Sequence, residues 1–273
     1  MKLLDKTKWI IVFAVCAVIA IAARPTDMLL AKALYGREDF AGSFFYTAAP
    51  ALPFALSSFS CAVMMSCRST RTTRTKNQML TVLYAALSVL SAAAASYYPF
   101  IKAEEKNFTV IAAATLLISG CSIFVAYTSF KQTYQKIVMT RIAKIIIFST
   151  LAVTVICLFA ALIPQRATYE AIVHSVEKYG HADGPFESTV PFIAFVGASA
   201  PILTAFTLLS EALPKLKFSG KWLFAASCLW TLAVVFGSVL SGKMFLSEAV
   251  YGAIVGYLSV FCVSKIVEKK ENE

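Results

Sequence analysis

The stretch Ser238-Val-Leu-Ser-Gly-Lys-Met-Phe-Leu-Ser-Glu-Ala-Val-Tyr-Gly252 decides the reading of this chain. It joins two strongly apolar runs, at about 222–241 and 245–264, through a short polar break. Each run is about as long as the 20 or so apolar residues that a helix needs to cross a bilayer. Glu248 sits just inside the second run, where an acidic group is costly and often functional.

Working outward, the same pattern recurs along all 273 residues. Further spans are expected at about 9–23, 41–66, 79–101, 108–130, 145–163 and 190–210, which makes eight. Pro191 and Pro201 interrupt the sixth of these eight in chain order, so part of it reads as a re-entrant or loop segment. Hydrophobic residues make up 59% of the chain and charged residues only 15%. Soluble domains are usually about half apolar and a quarter charged. The fold class is therefore all-α, a polytopic transmembrane helical bundle.

The formal net charge of +10 raises the question of nucleic acid. Its distribution answers it. With the N-terminus cytoplasmic, 17 of the 25 Lys and Arg fall on the inner side: Lys2, Lys6, Lys8, Arg68, Arg71, Arg74, Lys76, Lys131, Lys136, Arg141, Lys144, Lys215, Lys217, Lys221, Lys265, Lys269 and Lys270. Of the acidic residues, 5 lie inside and 10 outside, so the inner side carries +12 and the outer side −2. Short cytoplasmic loops collect Lys and Arg in this way. The charge is topological, and a nucleic-acid partner is not expected. Both termini are expected in the cytoplasm of a protein integral to the cell membrane.

Local features refine the plan. Residues 27–40 are too polar to span, yet Leu29, Leu30, Ala33 and Leu34 recur at helical spacing, which predicts a short outer surface helix. Ala20-Ile-Ala22 after a basic start mimics a secretory signal. The run's length and Arg24 favour an uncleaved anchor instead. Ser91-Ala-Ala-Ala-Ala-Ser96 and Gly252-x-x-x-Gly256 give small-residue faces that let helices approach closely. The seven cysteines show no metal-ligand spacing and read as small buried hydrophobes. Residues 268–273 read as a disordered, solvated tail.

The Ser238–Gly252 stretch also resembles the last motif of the type 2 phosphatidic acid phosphatase family, with Phe245, Leu246, Ser247, Glu248 and Gly252 in register. The resemblance divides the chain into N-terminal spans over 1–144, a phosphatase-like membrane core over 145–267, and the tail. It implies three stations at the outer ends of helices. The first grips phosphate in the family, and here keeps Arg166 of Ile163-Pro-Gln-Arg166 without the preceding lysine. The second aligns with Gly197-Ala-Ser-Ala-Pro201, where Ser199 is kept and Pro201 replaces the proton-donating histidine. In the third, Ser238 stands for arginine, Met244 for the nucleophilic histidine and Glu248 for its orienting aspartate.

A thioether neither attacks phosphorus nor carries a proton. The resemblance thus implies a phosphatase scaffold with degenerate catalytic positions Pro201, Met244 and Glu248, and no cofactor. Arg166, Ser199, Ser238 and Lys243 are the candidates for holding an anionic lipid phosphate, Lys243 as a point charge. Lys178 and the Ser241 hydroxyl extend that set. The expected role is non-catalytic lipid binding, lipid handling or scaffolding, with membrane lipids as partners.

Two alternatives stand beside it. One is an active phosphatase on a lipid phosphate or polyprenyl pyrophosphate, with His174 or His181 taking over the chemistry. The other is a small transporter or a partner-binding membrane subunit; the spans contain mainly Ser and Thr, so a proton-coupled pump is not expected. His174, Glu177 and His181 share a face if 167–179 is helical, and with Asp183 they resemble a metal set. Gly180 weakens that helix, and no metal is assigned.

Overall fold

The computed structural model describes residues 6–35, 40–67, 74–100, 107–129, 133–160, 172–173, 176–177, 192–208 and 220–272. All regular structure among them is helical. The helices are α1 (Lys6–Ala23), α2 (Asp27–Leu34), α3 (Phe40–Ser66), α4 (Arg74–Tyr97), α5 (Phe108–Ser129), α6 (Thr133–Ala160), α7 (Phe192–Ser199), α8 (Gly220–Leu240) and α9 (Leu246–Asn272). A single 3-10 turn, Arg24–Thr26, links α1 to α2, and α7 runs on as a 3-10 segment, Ala200–Leu208.

Seven helical stretches among the described residues are long and apolar enough to cross a membrane. The sequence reading expected eight. The missing one is the sixth run of that reading, whose apolar helical part, Phe195–Leu208, is too short to count among them. Pro201 lacks an N–H and so cannot bond back to Gly197, which breaks the α-helical ladder there. The chain tightens into nine residues of 3-10 helix, well beyond the usual three or four.

Several helices outrun their apolar stretch. α6 begins at Thr133 and takes in much of the basic segment read as an inner loop. Val138, Ile142, Ile145 and Ile146 recur at helical spacing and are buried in the core, so packing pulls Lys136, Arg141 and Lys144 into the helix. α9 likewise runs to Asn272, through residues expected to form a solvated tail, with Lys265 Nζ bridged to Glu268 Oε2 at 2.9 Å.

The core lies where α3, α6, α7 and α9 meet. Trp9 of α1 reaches into it and packs on Phe13, Tyr257 and Phe261. α3 and α4 are joined by the buried Ser58–Ser88 hydroxyl pair at 3.0 Å. The small-residue face of α4 is used inside the bundle, since Ala92, Ala95 and Ser96 are buried. The outer surface is apolar: Val18, Leu116, Phe124, Phe159 and Leu229 are all exposed, as a lipid-facing surface requires.

α7 and α9 approach backbone to backbone. A Cβ added at Gly256 would lie 2.3 Å from the Ala198 carbonyl oxygen, and one at Gly197 would lie 2.5 Å from that of Ala249. Gly252 and Gly256 therefore form a backbone-to-backbone contact within the chain.

Candidate functional site

The polar break between α8 and α9 is a built turn. Gly242 has φ 67°, the left-handed conformation that costs glycine nothing. Lys243 N–H donates to Ser238 O at 3.2 Å and Gly242 N–H to Val239 O at 2.9 Å. These are the two bonds of a Schellman cap, which satisfies the last carbonyls of α8. Ser238 O also accepts from Met244 N–H at 3.3 Å and from Ser241 Oγ at 3.0 Å.

The start of α9 is capped from two sides. Glu248 Oε2 reaches back to accept the Phe245 N–H at 3.2 Å, which is half of a capping box. Phe245 has no side-chain oxygen for the other half. Asp27 of α2 caps the first turn from outside instead: Oδ1 accepts the Ser247 N–H at 3.1 Å and Oδ2 the Ser247 hydroxyl at 2.5 Å. Asp27 is only 1% exposed. The positive end of the helix dipole favours a carboxylate there. Asp27 had no role in the sequence reading, because its partner lies 220 positions away.

The sequence-nominated residues fall into this frame as follows. Met244 is completely buried, in a cluster with Tyr46, Ala49, Val196, Ala200, Val234 and Ala249. Ser199 is also completely buried; its Oγ lies 2.7 Å from Ala49 O and 2.8 Å from Val196 O, so its single proton serves backbone carbonyls. Ser238, equally buried, donates to Val234 O at 2.7 Å. Pro201 is buried against α9, its Cγ facing Gly256. Lys243 is half-buried and holds its ammonium 5.0 Å from the centre of the Tyr46 ring.

Tyr46 thus touches Lys243 on one side and joins the Met244 cluster on the other. It brings α3 against the α8–α9 turn. Arg166, Lys178, His174, His181 and Asp183 lie outside the described residues, while Glu177 is described and exposed. The proposed first station and the metal set are therefore not placed. Among the described residues no group of three or more His, Cys, Asp or Glu is arranged to hold a metal ion.

A second polar group lies deeper. Thr204 Oγ1 and Ser227 Oγ are 3.2 Å apart, and Thr204 also donates to Pro201 O. Tyr257 OH donates to Thr231 Oγ1 at 3.3 Å and lies 3.6 Å from Cys228 Sγ. The hydroxyls bond to each other or to backbone, which ties the 3-10 segment, α8 and α9 together. No protein-family model matches the chain, and no curated protein or solved structure is significantly similar to it.

Proposed function

We propose that this chain is a non-catalytic integral membrane protein with the frame of a type 2 phosphatidic acid phosphatase over its C-terminal half. It sits in the cell membrane with both termini cytoplasmic and the α8–α9 turn facing outward. It serves as a lipid-handling or scaffolding component and not as a hydrolase.

One observation carries this reading. The position aligned with the nucleophilic histidine is Met244, fully buried and packed in a hydrophobic cluster with Tyr46, Val196, Val234 and Ala249. Nucleophilic catalysis needs an activated group in reach of phosphorus, and a buried thioether offers neither. The neighbouring polar groups support the same reading. Ser199 and Ser238 spend their protons on backbone carbonyls, and Glu248 accepts from Phe245 N–H. Among the described residues Lys243 is a cation beside the turn, and it fits a headgroup phosphate as a point charge.

The test is a phosphatase assay of the purified chain on phosphatidic acid and isoprenoid pyrophosphates. No turnover above the detergent blank is expected. Turnover that Glu248→Ala abolishes would defeat the non-catalytic reading. Turnover lost on replacing His174 and His181 would favour the rearranged active enzyme. For lipid handling, flotation with phosphatidic acid proteoliposomes is expected to protect Lys243 from amine labelling, relative to phosphatidylcholine alone.

A further inference from the structure

The contact between Asp27 and Ser247 joins two parts of the chain that hydropathy treats as unrelated. The N-terminal part, α1 and α2, begins as a secretory signal would: a basic start, a short apolar run, and Ala20-Ile-Ala22. A leader of that kind is removed and owes the mature fold nothing. The packing here is of another sort. Ala20 and Ala23 are buried, and the chain passes them without leaving the helix except for the one 3-10 turn, Arg24–Thr26.

We propose that α1 and α2 are a permanent arm of the bundle, latched at Asp27, and not a leader cleaved after Ala22. The arm is held at two points. Near its start, Trp9 is buried against Tyr257 and Phe261 of α9. At its far end, Asp27 closes on the first turn of the same helix through Ser247 N–H and Oγ. α1 therefore lies along α9, with anchors near both ends of the pair.

The second anchor completes a structure that α9 cannot complete alone. Phe245 occupies the cap position and brings no side-chain acceptor, and the Ser247 N–H goes to Asp27 instead. A buried donor without a partner is costly. A buried carboxylate is equally unfavourable unless it is well bonded. Asp27 supplies the acceptors that the Ser247 N–H and hydroxyl use at the start of α9. Removal of the arm leaves the α8–α9 hairpin with an open cap and uncovers Tyr257 and Phe261.

The test uses the full chain with a C-terminal tag, expressed in a host with signal peptidase and purified in detergent. Intact mass is expected to retain α1; a mass lacking residues 1–22 would overturn the proposal. The latch itself is read by thermal unfolding of Asp27→Asn, Ser247→Ala and the double variant. Each single change is expected to lower Tm by several degrees, and the double change to lower it no further than the worse single one. Additive falls would mean that the two residues do not act together, and would overturn the latch. Should Asp27→Asn fail to fold, Ser247→Ala carries the test, because an unchanged Tm there would be equally fatal.

Discussion

Gly256 and the carbonyl of Ala198 are packed so closely that a Cβ on Gly256 would sit 2.3 Å from the carbonyl oxygen and 2.9 Å from Pro201 Cγ. No rotamer change relieves this contact, since the obstruction is backbone. It sets how near α9 comes to the broken helix, and so where Pro201, Ser199 and Met244 stand.

Gly256→Ala and Gly197→Ala are each expected to destabilise the protein by about 1–3 kcal/mol, the usual cost of overpacking. Gly120→Ala is the control. Nothing lies within 4 Å of its added Cβ, so the change is expected to be neutral or to stabilise by up to about 1 kcal/mol. Thermal unfolding in one detergent compares the three. Equal effects would show that the α7–α9 seam is looser than described.

Met244→His restores the residue that the family resemblance expects. It does so inside an apolar cluster of Val196, Ala200, Val234 and Ala249. The imidazole gains no phosphoryl substrate there and leaves a polar ring buried, at about 1–3 kcal/mol. The expected result is a lower Tm and no turnover on phosphatidic acid. A gain of turnover would show that the position opens on a working phosphate site.

Trp9→Ala removes a buried indole from a group of four aromatic rings. A loss of about 3–5 kcal/mol is expected, as for other large-to-small core changes. Tyr257→Phe takes away only the hydroxyl that donates to Thr231. Hydrogen bonds between membrane helices average about 0.6 kcal/mol, so the fall should be small. Both are measured by the same melt, and a reversed order would contradict the placement of α1 against α9.

Ser149 and Thr150 are buried on α6 with hydroxyls that have no hydrogen-bond partner among the described residues. Thr140 and Thr154 of the same helix bond back to the carbonyls of Lys136 and Thr150. An orphaned buried hydroxyl is a cost. Ser149→Ala and Thr150→Val are therefore expected to leave Tm unchanged or to raise it. A clear fall for either would mean that its hydroxyl is bonded in the working protein.

Much of this architecture was legible in the residues. The long apolar runs mark the spanning helices, and Pro201 marks the break in the short one. Gly252 and Gly256, four apart, mark the face that α7 packs against. The expected apolar face of α2 was less informative. Leu29 and Leu34 are exposed, and the residues buried there are Asp27 and Ala31. Hydropathy averages over a window, so it does not see which single polar residue finds a partner.

The sequence by itself determined the helical class and the chemical poverty of position 244, while its count of eight spans came down to seven among the described residues. The first two follow from side-chain composition, which is the same wherever the chain goes. Tertiary structure alone decided that Asp27 caps α9, that Ser199 and Ser238 are turned to backbone carbonyls, and that α6 and α9 outlast their apolar cores. Each depends on which distant segment lies alongside. A hydrogen bond is won within about 3 Å, and only the packed bundle brings residues from opposite ends of the chain that close.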